Sequence, residues 1–283
     1  MKTYRLIVVF CVLLFSIAQV KSQDKNPSFP FFFIQVTDPQ FGMFESNNGF
    51  KKETELYEKA INEINRLRPD FIVITGDLVN NKDDNPQVEE FKRITSRIKT
   101  SIPVWFIPGN HDIGQSPLQN DIDKFTSDYG HDRFSFMHKN CLFIGLNSCL
   151  IKANTPGLEQ IQFEWLRKEL SKAGKVNHII LFSHYPFFIN GYDEPETYSN
   201  LPVEARNRYL GLLEEFGADA VFAGHLHNNA TANYNHIEMV TTSAVGKPLE
   251  KAPSGFRIIK VYSDRIESVY YSLDEMPRSV TYK

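Results

Sequence analysis

Five short apolar runs in this chain each stop at a polar block with the chemistry of metal ligands, and that repetition limits the possible fold more than any other feature. Phe31–Val36 runs into Asp38-Pro39-Gln40, residues 71–75 into Gly76-Asp77, and Val104–Ile107 into Pro108-Gly109-Asn110-His111-Asp112. Residues 179–182 stop at Ser183-His184, and residues 220–222 are followed by Gly224-His225-Leu226-His227. Apolar runs this short and continuous read as strands covered on both faces. In open α/β sheets ligands bind in the crevice at the carboxyl ends of the strands. The five blocks are therefore expected to meet in one cavity, because packing alone gives no reason for five strands to end this way.

The intervening segments fit that reading. Helical spacing of apolar residues spans 53–68, with Leu56, Ala60, Ile61, Ile64 and Leu67 on one face, and recurs over 88–98, 118–129, 158–173 and 203–216. In the helix over 158–173, Ile161, Trp165, Leu166 and Leu170 are expected to share the buried face. A hairpin is expected over 134–137 and 142–146, and antiparallel strands over 232–235, 237–242, 256–262 and 265–271. Residues 41–52, 80–86 and 190–201 read as loops. The pattern is α/β early and hairpin-rich late, which predicts an α/β domain of two packed β-sheets with helices outside.

The N-terminus is set apart from this domain. Lys2 and Arg5 precede an apolar stretch over residues 6–20, with small residues at Ala18 and Ser22. As a helix it would be about 22 Å long, short of a ~30 Å hydrocarbon core. A charged start, a short apolar region and nearby small residues match a secretory signal peptide. The expectation is a signal peptide over 1–22, a domain over 23–283, and export to a periplasmic or extracellular location without a stable membrane anchor. Beyond the signal only Cys141 and Cys149 remain, and one extended strand between them would hold their Cα atoms about 26 Å apart. Both read as buried free thiols. The net charge of −3 and the absence of a basic run give no footprint for nucleic acid.

Taken by chemistry, Asp38 and Asp77 offer anionic oxygens, Gln40 and Asn110 amide oxygens, and His184, His225 and His227 imidazoles. A mixed O/N set without thiolate suits Mn, Fe, Zn or Mg. Seven ligands are too many for one cation and suit two that share a bridge. Asp112 reads as a group that orients its loop. Asn80, Asn147, Tyr185 and Asn228 are candidate substrate contacts.

The order Asp38-x-Gln40, Gly76-Asp77, Gly109-Asn110-His111-Asp112, His184 and Gly224-His225-x-His227 resembles the calcineurin-like metallophosphoesterases. Further blocks (residues 38–42, 109–114, 134–136, 146–148 and 270–275) resemble its branch of Ser/Thr protein phosphatases. The resemblance implies a four-layer α/β/β/α sandwich. It implies a first cation on Asp38, Gln40, Asp77 and His227, and a second on Asp77, Asn110, His184 and His225. It also implies that Asp77 bridges and that His111 faces the scissile phosphate as the catalytic imidazole. Most of the family has His where this chain has Gln40; an amide oxygen is a weaker donor, so the first site is expected to lean toward Mn or Mg. The implied chemistry is hydrolysis of a phosphomonoester, with phosphoserine or phosphothreonine in proteins as one substrate class, by a hydroxide bridging two divalent cations. The alternatives are a phosphodiesterase acting on cyclic or other nucleotides, and a phosphate-binding protein of the same fold without turnover.

Overall fold

The computed structural model describes residues 29–249 and 251–282. The expected export segment, with Lys2, Arg5 and Cys11, lies outside the described residues. Among the described residues no helix is long and apolar enough to cross a membrane.

The chain begins with β1 (Phe31–Val36), α1 (Lys51–Leu67), β2 (Ile72–Thr75), α2 (Asn85–Thr95), β3 (Val104–Ile107), α3 (Asn110–Ile113) and α4 (Gln119–Tyr129). It continues with β4 (Phe134–His138), β5 (Cys141–Gly145), α5 (Ser148–Ala153), α6 (Leu158–Lys172), β6 (His178–Phe182) and α7 (Val203–Glu215). It closes with β7 (Ala220–Ala223), β8 (Ala230–Tyr234), β9 (Ile237–Thr241), β10 (Gly255–Val261) and β11 (Ile266–Ser272). One sheet has the order β11-β10-β1-β2-β3 and the other β4-β5-β6-β7-β9-β8. In the first, β1, β2 and β3 are parallel while β10 and β11 run antiparallel. In the second, β5, β6, β7 and β9 are parallel and the two edge strands antiparallel.

Strand β1 shows how the layers form. Side chains alternate across a strand, so Phe31 and Phe33 enter a core shared with Phe143, Phe182 and Phe222 of the second sheet. Phe32, Ile34 and Val36 point the other way, into the core that holds Tyr57, Ala60, Ile61 and Ile64 of α1. Right-handed crossovers put α1 and α2 on the outer face of the first sheet and α6 and α7 on that of the second. The result is four layers, α/β/β/α, as expected. Phe33 sits at the centre of the inner core, stacked on Phe71 at 4.9 Å and edge-on to Phe143, Phe182 and Phe222 at 5.5, 5.7 and 6.2 Å. Phe33→Ala is expected to cost about 3–5 kcal/mol of folding stability, measured by urea denaturation; a cost under about 1 kcal/mol would contradict this placement.

Four sequence readings need correction. Ile161 is 56% exposed, and the buried face of α6 is instead Glu159, Gln162, Phe163, Leu166 and Leu170. The reason is polar: Gln162 Oε1 accepts from Asn147 N (2.9 Å) and Gln162 Nε2 donates to Asn147 O (3.0 Å), closing the backbone after β5. Asn147 is accordingly fully buried, with its amide nitrogen on Asp132, and is no surface contact for substrate. Of the residues read as loops, 51–52 belong to α1 and 85–86 to α2, where Asp84 caps the helix by accepting from Gln87 N. The short helices α3 and α5 were not expected at all. Cys141 and Cys149 are buried free thiols, as read.

Candidate metal centre

The carboxyl ends of β1, β2, β3, β6 and β7 meet at one edge of the two packed sheets. Backbone hydrogen bonds join the loops that leave them: Asp38 N to Gly76 O (3.2 Å), Gln40 N to Asp77 O (2.9 Å), Gly224 N to His184 O (3.0 Å) and Gly246 N to Asp38 O (3.1 Å). Beneath them Gln35 ties the sheets together. Its Nε2 donates to Thr75 Oγ1 (3.0 Å) and Ala223 O (2.9 Å), and its Oε1 accepts from Thr242 Oγ1 (2.6 Å).

Close approach of these loops depends on two glycines. A Cβ at Gly109 would lie 2.1 Å from Asp77 Oδ1, and one at Gly224 would lie 1.9 Å from Thr37 Oγ1. The backbone itself is strained there. Asp38, Gln40, Asp77, His225 and His227 have φ of +51°, +38°, +48°, +72° and +51°, a region that costs a non-glycine residue about 1–3 kcal/mol and persists only where the surroundings enforce it. Five of the seven expected ligands carry this strain.

Two ligand groups result, and they share one carboxylate. Ligand atoms of Asp77, His184 and His225 lie within 4.8 Å of one another, as do those of Asp38, Asp77 and His227. His184 Nε2 is 3.1 Å from Asn110 Oδ1, 3.3 Å from Asp77 Oδ2 and 3.2 Å from His225 Nδ1. His227 Nε2 is 3.4 Å from Asp38 Oδ1. The outward ring nitrogens are held by carbonyls: His184 Nδ1 by Thr75 O (2.9 Å) and His227 Nδ1 by Lys247 O (2.5 Å). A carbonyl only accepts, so each Nδ1 carries a proton and each Nε2 presents its lone pair inward in the neutral ring, the arrangement of metal-ligating histidines.

The electrostatics of this cavity call for cations. Asp38 and Asp77 are buried, and among the described residues their ion-pair partners are imidazoles only. Burying carboxylates without a Lys, an Arg or a metal is costly. Asp38 Oδ1 and Gln40 Oε1 are also buried without a hydrogen-bond partner among the described residues. These orphaned oxygens, the inward Nε2 atoms and the shared Asp77 fit a pair of divalent cations.

Gln40 is pinned for such a role. Its Nε2 donates to Asn80 Oδ1 (3.0 Å), Asn80 Nδ2 donates to Asn47 Oδ1 (2.7 Å), and Gln87 Nε2 donates to the same oxygen (3.0 Å). The amide nitrogen is thereby engaged and Oε1 is left free. Asn80 O also receives His111 Nδ1 (2.9 Å), while His111 N donates to Asp77 Oδ1 (2.8 Å). Asn80→Leu removes the acceptor that sets the Gln40 amide. It is expected to weaken the first cation about 10- to 100-fold in equilibrium dialysis and to leave the second within a few-fold; equal loss at both sites would contradict the assignment.

Asp112 orients its loop, as read. It accepts from Leu78 N (2.8 Å), Val79 N (3.3 Å) and Gly109 N (2.8 Å). Tyr185 is fully buried, with its ring 4.2 Å from that of His225. Asn228 Oδ1 accepts from Asn229 N. Sequence reading missed Thr37, whose hydroxyl donates to Asp38 Oδ2 (2.6 Å), and Ser148, whose hydroxyl accepts from His184 N (3.0 Å) and Tyr185 N (2.9 Å). It also missed Tyr198, whose phenol lies 3.4 Å from Asn110 Nδ2.

Proton placement without cations follows from the same contacts. Burial opposes the Asp77 charge, but the imidazoles of His184, His111 and His225 outweigh it and hold the carboxyl well below its usual range. Burial also opposes the His184 imidazolium, yet Asp77 and Asp38 raise it from 6.5 to about 9. Burial and the neighbouring His184 push His225 down to about 3. Because the folded value of His184 is raised, its charged form stabilises the cation-free fold fully below about 6.5, and that stabilisation is lost as pH rises through about 9. A ligating imidazole must be neutral, so Mn binding at pH 7 is expected to release roughly one proton and to tighten as pH rises toward 9. Calorimetry in two buffers of different ionisation enthalpy measures this, and zero proton release is the contrary result.

Comparisons with known proteins bear on the family and the fold. The family model described as calcineurin-like phosphoesterase matches residues 33–229. The serine/threonine-protein phosphatase CPPED1 of Homo sapiens is 36% identical over 279 residues, covering 92% of this chain and 88% of that protein. Among solved structures, a dimetal phosphatase from Danio rerio superposes with a TM-score of 0.60 at 16% identity, covering 87% of this chain and 97% of that one. The purple acid phosphatase PPD1 of yellow lupin gives 0.63 at 15% identity, covering 87% of this chain and 52% of that one. At such identities these two likenesses bear on the fold alone.

Proposed function

The chain belongs to the calcineurin-like phosphoesterase family, and from that premise we propose that it hydrolyses phosphomonoesters at a pair of divalent cations. As a member of that family it is a phosphoric ester hydrolase. The observation that carries the reading is the sharing of Asp77 between two ligand groups, Asp77–His184–His225 and Asp38–Asp77–His227. Asp38, Gln40, Asp77 and His227 would hold the first cation, and Asp77, Asn110, His184 and His225 the second. Mn is the favoured metal, because one ligand of the first site is an amide oxygen.

Two divalent cations, when bound, supply Lewis acidity that acidifies water and polarises phosphoryl oxygens. The chain's own residues do the rest. Thr37 and the His225 N–H hold Asp38 Oδ2 (2.6 and 3.0 Å), and the His111 N–H holds Asp77 Oδ1 (2.8 Å), so both carboxylates are fixed before substrate arrives. His111, half-buried on α3 with Nδ1 tied to Asn80 O, is the imidazole available to the ester. Since Nδ1 gives its hydrogen to the Asn80 carbonyl, Nε2 bears a proton only in the imidazolium. In that form its Nε2–H would pass to the leaving oxygen, leaving the neutral Nδ1–H ring, or would balance charge on the phosphoryl group, and no covalent phosphoenzyme is required.

The phosphatase name of the 36% identical relative supports phosphoserine or phosphothreonine as a substrate class. The test pairs p-nitrophenyl phosphate with bis-p-nitrophenyl phosphate in the presence of Mn, and the monoester is expected to turn over faster. Faster turnover of the diester would instead assign a phosphodiesterase, and turnover of neither a phosphate-binding protein. Single-turnover hydrolysis in ¹⁸O water should place the label in phosphate. The sequence at Lys2, Arg5 and residues 6–20 supports export; mass analysis of the exported fraction should then find an N-terminus at Gln23 or Gln19.

A further inference from the structure

We propose that Tyr198 is a substrate-binding residue whose phenol donates its proton to a phosphoryl oxygen at the mouth of the cavity. The inference rests on the phosphoester reading above and adds to it a residue that none of the ligand motifs contains.

Three observations support it. The first is position. The Tyr198 oxygen lies 3.4 Å from Asn110 Nδ2, and the other atom of that amide, Oδ1, is the one that meets His184 Nε2 at 3.1 Å. The Tyr198 ring lies 5.0 Å from that of His225. The phenol therefore borders the second ligand group directly.

The second is hydrogen-bond capacity. A phenol has one proton to give and lone pairs to receive. The Tyr198 oxygen receives Asn110 Nδ2 and, also at 3.4 Å, Gln115 Nε2. Two amide donors occupy the oxygen, so the proton is turned away from both. A phosphoryl oxygen drawn to the cations is an anionic acceptor, and a hydrogen bond to it would be charge-assisted.

The third is rigidity where none would be expected. Tyr198 is 56% exposed and lies between β6 and α7, outside helix and strand. Yet the segment is stapled by two cationic side chains. Arg206, fully buried on α7, donates to the carbonyls of Leu201 (3.0 Å), Tyr192 (2.9 Å), Glu194 (2.6 Å) and Pro195 (3.4 Å). Lys152 donates to the carbonyls flanking the tyrosine, Thr197 (2.6 Å) and Asn200 (2.9 Å). Asn200 adds a turn contact by accepting from Thr197 N (2.8 Å). A buried guanidinium spent on loop carbonyls holds one exposed phenol in place over the cavity, as a pre-organised binding group requires.

The test uses the full chain loaded with Mn and compares wild type with Tyr198→Phe, which removes only the hydroxyl. Inorganic phosphate is the binding probe, measured by calorimetry, and p-nitrophenyl phosphate is the substrate. The variant is expected to bind phosphate about tenfold more weakly and to lose kcat/KM by a similar factor, with Mn stoichiometry and thermal midpoint unchanged. Wild-type phosphate affinity and kcat/KM in the variant would overturn the proposal. Weaker phosphate binding that tracks a loss of Mn would also overturn it, since the phenol would then only prop Asn110. If the wild type turns over no ester, the proposed function fails while the phosphate measurement still decides on Tyr198.

Discussion

Asp77→Asn is expected to lower phosphatase activity by on the order of a thousandfold and to remove both bound cations, with the fold retained. Asparagine preserves the shape of the side chain, and its amide oxygen can still accept from His111 N, the partner of Asp77 Oδ1 at 2.8 Å. What it lacks is the charge that both ligand groups share. Two-cation Lewis acidity contributes several kcal/mol to such reactions, and each ~1.4 kcal/mol is tenfold in rate, which sets the magnitude. The informative control is Asp38→Asn. Asp38 belongs only to the group with Asp77 and His227, so that variant should lose the first cation and keep the second. Metal analysis of the dialysed proteins distinguishes the two patterns. If Asp77→Asn retains one tightly held cation, the shared carboxylate is the wrong description of this centre.

The second large effect is that of His111→Ala, and it should depend on the leaving group. General acid catalysis contributes about 10²–10⁴-fold, and more of it is needed when the departing oxygen is strongly basic. Nitrophenolate leaves readily without a proton, whereas a serine alkoxide does not. The variant is expected to lose about a hundredfold on p-nitrophenyl phosphate and nearer ten-thousandfold on a phosphoseryl peptide, with metal content unchanged. Equal losses on the two substrates would place His111 on the phosphoryl charge and not on the leaving oxygen. No loss on either would remove it from the reaction.

Much of this could be read from the sequence because strand ends are punctuated. A strand covered on both faces tolerates few polar residues, so the change at Val36 to Asp38 is abrupt and marks both the boundary and the chemistry. Strand β3 was expected to be covered in the same way, but it is an edge strand, half-buried over Val104, Trp105 and Phe106, and its apolar run still stops sharply after Ile107. Two packed sheets with helices outside followed from the same runs, while the four-layer order came from the family resemblance; β1 agrees with both by supplying phenylalanines to the inner core and to the helix-covered face. What the sequence hid was short or reciprocal. The helix α3 is four residues of mostly polar chain, too brief to show a period. The buried face of α6 was misassigned because Gln162, a polar residue, is interior; its reason is the Asn147 backbone 15 positions away. Tyr198 carries no local signal either. The proposal for it rests on Arg206 of α7 and Lys152 of α5, which hold the carbonyls of its neighbours in the segment.

The left-handed backbone at Asp38, Gln40, Asp77, His225 and His227 has a consequence for the life of the protein in its environment. Several kcal/mol of conformational cost are concentrated at the residues that cations would clasp, so metal supply and folded population are linked by mass action. When cations are scarce, the loops at this edge of the sandwich should be the first to relax and the first to meet a protease. The chain's abundance, and not only its turnover, would then report how much divalent metal surrounds it.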